Sequence, residues 1–250
     1  MPDYRETFKR KEVKYRLSAS QRARIEEEVA KHLSLSRFGK STVSSLYFDT
    51  PMHAVIGRSL EKPLYKEKVR LRWYGSSPLR DASIVYLELK KKFKGIVYKR
   101  RVRVTPQSAI EFCEAGDPNA FDIDYVDDIP RYTQDQIMKE IRAACRRHEG
   151  LRPSALIRCA RAPYEEDDPQ GLRITFDGDL VGSDLMDGAM GIPLLRQGES
   201  IMEIKCNGAY PLWLARLLTN EGAYPRSFSK YGELYKIRAA QAQGRMKHAG

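Results

Sequence analysis

The chain has few cysteines, no long apolar run and no histidine cluster, and each lack removes a class of protein. Four cysteines in 250 residues (Cys113, Cys145, Cys159, Cys206) lie far apart, with no Cys-x-x-Cys pair and no histidine at ligand spacing. A zinc site and a disulfide framework are therefore excluded, and buried reduced thiols in a cytoplasmic protein are expected. Residues 1–15 are charged and lack the apolar stretch of a signal peptide. Nowhere do apolar residues run for the roughly 18 to 20 positions that a membrane span needs. No integral membrane segment is expected, and any membrane association would be peripheral or through a partner. Acidic residues are also short: 33 Asp and Glu stand against 44 Lys and Arg, a formal charge of +11. Such an excess points to nucleic acid, acidic headgroups or phosphorylated small molecules as partners, and says nothing of fold.

What is present alternates. Hydrophobic residues make up 42% of the chain, enough for a core, and no repeat or low-complexity segment interrupts it. One domain over residues 1–250, with a core at about 10–238, is expected. Period-two patterns mark half-buried strands. Val13, Tyr15 and Leu17 oppose Glu12, Lys14 and Arg16. Val69, Leu71 and Trp73 oppose Lys68, Arg70 and Arg72. Val85, Leu87 and Leu89 oppose Glu88, Lys90 and Lys92. Tyr98, Val102 and Val104 oppose Lys99, Arg101 and Arg103, with Arg100 breaking the apolar face. Met202 and Ile204 oppose Glu203 and Lys205. Further strands are expected over 42–49, 154–164 and 172–181, which makes eight.

Capping boxes at Ser18–Gln21 and Thr133–Gln136 predict helices carrying the stripes Ile25, Val29, Leu33 and Ile137, Ile141, Cys145. A third helix is expected from Pro211 with Trp213, Leu214, Leu217 and Leu218 inward, and a short fourth after Ser227. Residues 51–63 and the acidic stretch 117–130 read as loops, and 241–250 as a frayed end.

An antiparallel sheet often keeps one wet face, so alternating charge alone is ordinary. Here the charged faces are mostly Lys and Arg, where a merely soluble face tends to mix signs. Amphipathic helices also need the apolar faces as cover. If eight strands close, the fold class is α+β, a closed antiparallel barrel with helices outside and a cationic lumen. Such a lumen calls for a narrow, densely anionic ligand, a triphosphate or polyphosphate chain. A duplex nucleic acid would not fit it.

The runs Glu12-Val-Lys-Tyr15, Leu46-Tyr-Phe-Asp-Thr50, Lys68-Val-Arg-Leu-Arg72, Leu87-Glu-Leu-Lys-Lys91 and Lys99-Arg-Arg101 resemble the catalytic domain of the vacuolar transporter chaperone (VTC) polyphosphate polymerases. So do Arg173-Ile-Thr-Phe-Asp177, Met202-Glu-Ile-Lys205 and Phe228-Ser-Lys-Tyr231. The resemblance covers roughly residues 10–234. It implies a CYTH-like triphosphate tunnel metalloenzyme with an eight-stranded tunnel, which makes polyphosphate from ATP or another nucleoside triphosphate. It implies that Lys14, Arg70, Arg72, Lys90, Lys99, Arg161 and Lys230 contact phosphates, with Arg101 and Lys205 from the same runs. It gives Glu203 the divalent metal, Mn²⁺ or Mg²⁺, with Glu12 and Glu88 as helpers. Arg161 is placed by Arg161-Ala-Pro-Tyr164, which approximates the family's Arg-x-Ala-Tyr. Related triphosphatases open with Glu-x-Glu-x-Lys, but Arg10 replaces the first Glu here. Cys159 stands where the family has an aromatic, and Pro163 replaces a small residue. The eukaryotic polymerases' regulatory and membrane parts find no counterpart in the sequence.

Two competing functions stay open. Hydrolysis of triphosphate needs an activated water, with Glu12 or Glu88 as base. A non-catalytic module could instead capture polyphosphate or single-stranded nucleic acid, with Tyr74, Tyr86 and Tyr98 as stacking surfaces, although strand tyrosines more often pack. Asp49 and Asp177 read as turn or capping residues, the four histidines are scattered, and Trp73 and Trp213 read as core.

Overall fold

A computed structural model describes residues 11–94, 96–167 and 171–248, without the side chains of residue 11 and residues 245–248. Arg10 lies outside the described residues. In chain order the elements are β1 (Lys11–Leu17), α1 (Ala19–His32), β2 (Ser34–Leu35), β3 (Ser41–Asp49), α2 (Ala54–Leu60), β4 (Tyr65–Tyr74), β5 (Val85–Phe93) and β6 (Ile96–Val104). There follow α3 (Pro106–Ala115), α4 (Arg131–Arg147), β7 (Arg152–Glu165), β8 (Arg173–Asp184), β9 (Ala189–Pro193), β10 (Ser200–Cys206), α5 (Leu212–Asn220) and α6 (Lys230–His248). The class is α+β. All eight expected strands are present, and β2 and β9 are short additions.

The strand order is β1-β10-β8-β7-β3-β4-β5-β6, with β2 beside β7 and β9 beside β8. It is a path with two ends. Among the described residues no pairing joins β6 to β1, so the expected closed barrel is corrected to an open antiparallel sheet. Each end strand is instead covered by a short piece of its own neighbourhood. Beside β1, Tyr15 bridges Pro225 and the Arg226 amide donates to the Lys14 carbonyl at 2.7 Å. Beside β6, Val104 bridges Ile123, and the Asp124 amide donates to the Arg103 carbonyl at 3.1 Å. Over those residues the edge no longer templates pairing with another chain. The exclusion of duplex nucleic acid, which rested on a narrow lumen, lapses with closure.

The chain divides into two compact units, residues 1–41, 159–180 and 195–228, and residues 42–158, 181–194 and 229–250. Two of the boundaries fall inside β7 and β8. In the first unit, α1 and α5 cover the apolar faces of β1, β8 and β10: Ile25, Val29 and Leu214 pack with Leu17, Ile174, Phe176, Met202 and Ile204. The Ser18 capping box forms as read, its hydroxyl accepting from the Gln21 amide.

In the second unit, α3 and α4 cover β4, β5 and β6. Phe112, Met138 and Ile141 pack on Val69, Leu71, Leu87, Leu89 and Val102. Each such side chain, fully buried, contributes about 1.5–3 kcal/mol. Arg100, the residue that broke the apolar face, turns to Glu140 of α4 at 3.2 Å. Three readings are corrected here. The Thr133 capping box does not form, because α4 is capped at Pro130, three residues earlier. Residues 51–63 contain α2, and residues 241–248 continue α6, leaving 249–250 outside the described residues. Helix α3 was missed, although Thr105 accepts from the Ser108 amide ahead of Pro106, and Gly116 ends the helix at φ 70°.

Candidate phosphate-binding faces

The second unit carries the densest charge. Register places residues of β4, β5 and β6 in rows on the face opposite the helices: Lys66–Lys92–Val97, Lys68–Lys90–Lys99, Arg70–Glu88–Arg101 and Arg72–Tyr86–Arg103. Glu88 is the single carboxylate in those rows. Directly opposed like charges oppose pairing, so the lysine row is costly by itself.

Glu88 is buried and gathers its neighbours. Its Oε2 accepts from Arg70 Nη2 at 2.6 Å and Nε at 2.8 Å. Its Oε1 lies 2.7 Å from Lys99 Nζ and 2.9 Å from Arg101 Nε. Burial alone would raise the Glu88 pKa, but Arg70, Lys99, Arg72 and Arg101 hold it far below the carboxylate range. Burial also pulls Lys99 down to about 8, against the attraction of Glu88.

Aromatic rings fix the cations. Arg70 donates to the Tyr47 hydroxyl at 2.9 Å, and Arg101 stacks on Tyr86 at 3.7 Å while donating to the Tyr74 hydroxyl at 3.3 Å. Arg72 lies over Tyr74 at 5.2 Å. Lys68 sits 5.8 Å from the Tyr231 ring centre, and its pKa falls to about 8, chiefly through burial. Tyr231 in turn stacks on Tyr47 at 5.2 Å. Lys230 opens α6, and its charge acts on the Tyr47 phenol.

Sequence reasoning passed over Tyr47, Tyr231 and, as a site residue, Lys68. Lys68 was legible, since it shares parity with Arg70 and Arg72. Tyr231 was not, because only the fold brings it to Asp49, whose Oδ2 accepts its hydroxyl at 2.7 Å. Asp49 is the cap it was read as, accepting from the Val55 and Ile56 amides at 2.8 and 2.9 Å.

The first unit holds a separate cluster. Lys14 stands opposite Glu203 across β1 and β10, and Thr175 stands opposite Glu203 on β8. Lys14 Nζ lies 3.5 Å from Glu203, 3.3 Å from Glu12 and 3.4 Å from the Phe228 carbonyl it donates to. Lys205 Nζ lies 2.5 Å from the other Glu203 oxygen. Burial would raise the Glu203 pKa, but Lys205, Lys14 and Arg161 hold it well below the usual range.

Arg161 is within electrostatic reach of Glu203 but points its fork at Asp177, with two bonds of 2.7 Å. Asp177 is thus buried in a strand and paired, not the turn or cap residue expected. The four cysteines are free thiols, three of them buried.

No three of His, Cys, Asp and Glu come together as a metal site among the described residues. What the first unit offers is a pair of carboxylates, Glu12 and Glu203, reaching the same Lys14. Magnesium and manganese commonly use one or two carboxylates and take their other ligands from water and substrate phosphate, so this pair fits such an ion. Glu203 is itself held by Lys14 and Lys205, so an ion there would have to displace Lys14. Glu88, 1% exposed with Arg70, Lys99 and Arg101 on its two oxygens, is closed to one. No helix among the described residues is long and apolar enough to cross a membrane.

The putative adenylyl cyclase HpAC1 from Hippeastrum, described as having a dominant triphosphatase activity, superposes with a TM-score of 0.52 at 19% identity. That likeness covers 88% of this chain and 92% of that one, and it shows a shared fold. A putative adenylate cyclase from Vibrio parahaemolyticus gives 0.45 at 11% identity, over 92% of this chain and 99% of that one. The PH1819 protein from Pyrococcus horikoshii gives 0.44 at 14%, over 91% and 99%. No curated protein matches the sequence. The VTC domain model matches residues 9–238, through both units and both charged clusters, and the chain belongs to the VTC domain family.

Proposed function

We propose that this protein carries out metal-dependent phosphoryl transfer and makes polyphosphate from ATP in the cytoplasm. The observation that carries the reading is the Lys68–Lys90–Lys99 row beside Arg70, Arg72 and Arg101, with Glu88 as its single carboxylate. Strand pairing that sets three lysines abreast favours a polyanion laid along them. Phosphoryl transfer asks for positioning and charge neutralisation more than for covalent help.

In this reading Arg70, Arg72 and Arg101 hold phosphate oxygens by planar forks, and Lys68, Lys90, Lys99 and Lys230 act as point charges. Glu88 holds Arg70 and Arg101 together on its two oxygens until phosphate arrives. In the first unit, Lys14, Lys205 and Arg161 supply cations, and Glu203 with Glu12 would hold Mn²⁺ or Mg²⁺. When bound, the ion neutralises oxygens of the transferring group. Transfer breaks the bond from the γ-phosphorus to the β,γ-bridging oxygen and forms one to a terminal oxygen of the acceptor chain, with ADP leaving. The acceptor is already anionic at neutral pH, so no base is needed. Hydrolysis would need one, and a carboxylate held as strongly ionised as Glu88 is a poor proton acceptor.

Incubation with ATP and Mn²⁺, with and without a short polyphosphate primer, tests this. Long polyphosphate with stoichiometric ADP is expected, and Arg72→Ala and Glu203→Ala are expected to abolish it. Free phosphate without chain growth makes the protein a hydrolase. Polyphosphate binding without turnover makes it a binding module.

A further inference from the structure

The rows of β4, β5 and β6 extend one step past the helix that covers them. Helix α4 ends at Arg147, which, with His148, grips Glu67 in the row Glu67–Lys91–Tyr98. The next row on that same face is Tyr65–Phe93–Ile96, where the Tyr65 hydroxyl donates to Glu67 and meets Arg147 at the end of α4. All three side chains are exposed, as are Tyr98 and Val97, and the adjoining Leu64 is 72% exposed. The Lys94 amide donates to the Leu64 carbonyl at 2.9 Å, which fixes Leu64 against the end of the β5–β6 hairpin. A run of apolar and aromatic side chains at one hairpin end is not ordinary surface scatter.

Cations rim this end. Lys94 lies over the Phe93 ring at 5.5 Å, Lys62 acts electrostatically on Lys66, and Lys92 occupies the row behind. Of the nearby acids, Glu67 and Glu140 are already paired with Arg147 and His148 and with Lys91 and Arg100, leaving Glu61 beside Lys62. Apolar side chains at the tip with lysines at the rim match the interface of an anionic bilayer. There the apolar groups enter the headgroup layer and the lysines meet lipid phosphate and carboxylate.

We propose that Leu64, Tyr65, Phe93 and Ile96, at the paired ends of β4, β5 and β6, dock the protein peripherally on anionic membrane surfaces. The occupant is the bilayer, because Lys62, Lys92 and Lys94 outnumber Glu61 at this end, and that cationic excess beside exposed apolar side chains complements anionic headgroups. This is independent of the phosphate-binding reading, since Phe93 and Ile96 lie on the opposite face of the strands from Glu88 and the lysine row.

Vesicle co-sedimentation tests it. The full chain should bind phosphatidylcholine vesicles carrying about 30% phosphatidylserine and not pure phosphatidylcholine. The F93S/I96S double variant should bind roughly tenfold more weakly, as should K62E/K94E, while F38S, at an exposed apolar position in the other unit, should bind normally. A solvatochromic dye on Ile96→Cys should shift to the blue with anionic vesicles. Polyphosphate affinity of F93S/I96S should stay unchanged, which separates this proposal from failure of the phosphate-binding reading. Absence of vesicle binding, or binding undiminished in F93S/I96S, overturns it. So does a dimer in solution that F93S/I96S abolishes, since the tip would then be a contact between copies.

Discussion

Glu88 decides how nearby cations behave when no phosphate is present. Replacing it with Gln leaves Arg70, Lys99 and Arg101 facing one another around a neutral amide. Breaking a buried pair in this way costs about 3–5 kcal/mol, and denaturant midpoints should show it. Added polyphosphate should recover more stability in Glu88→Gln than in the native protein, because it replaces the lost carboxylate. The same cluster fixes a pH dependence. Lys68 and Lys99 are pulled down to about 8 in the folded protein, chiefly by loss of hydration among the surrounding groups, although the Lys99 side chain keeps 44% exposure. A bound phosphate chain favours their charged forms, so binding takes up protons. Affinity should therefore fall as pH rises through about 8, by up to tenfold per pH unit for each lysine involved. Stability without ligand should move the other way. Lysines of the unfolded chain keep protons up to about pH 10.4, so between about 8 and 10 the unfolded state binds more protons and the folded state gains. Binding titrations and denaturation curves over that interval check both signs, and Lys99→Arg should remove one lysine's share of each slope, leaving that of Lys68.

At the scale of elements, the strands were legible because parity survives folding. Lys68, Arg70, Arg72, Glu88, Lys90, Lys99 and Arg101 fall on one face by counting alone, and register confirms it. The helices were legible where a side chain caps them, as Ser18 does, and obscure where proline sets the start, as at Pro130. Closure was not legible, because what covers β1 and β6 is irregular backbone around Pro225 and Ile123 that carries no period. Nor was the junction of β3, α2 and α6. Asp49 caps α2 and accepts the Tyr231 hydroxyl, which also lies 2.7 Å from the Ser154 hydroxyl. Removing that hydroxyl strands two buried polar groups, so Tyr231→Phe should cost about 1–3 kcal/mol. Its ring still stacks on Tyr47 beneath Lys68, so polyphosphate affinity should hold. Tyr231→Ala should lose both stability and affinity, and comparing the pair separates the anchor from the platform.

At the scale of the whole molecule, each unit has its own core and its own charged cluster, and the two differ in kind. Glu12 and Glu203 give the first unit the better claim on a divalent cation, and the lysine row gives the second the better claim on polyphosphate. Amide hydrogen exchange can read them separately. Mn²⁺ alone should slow exchange in β1 and β10, and polyphosphate alone should slow it in β4, β5 and β6. If both ligands protect the same strands, the division of labour is wrong. Overall stability should follow mass action: at a hundred times its dissociation constant a ligand adds about 2.7 kcal/mol, which in a chain of this size raises Tm by roughly 6–10 °C. A net charge of +11 would let any polyanion give part of that through unspecific attraction. Salt distinguishes the two cases. Exposed charges about 10 Å apart are screened at roughly 0.1 M salt, whereas contacts on the half-buried cations around Glu88 are screened far less. Duplex DNA, no longer excluded by a lumen, is therefore the control. Its stabilisation should vanish as salt rises, while that of polyphosphate persists and grows with chain length until the lysine and arginine rows are filled.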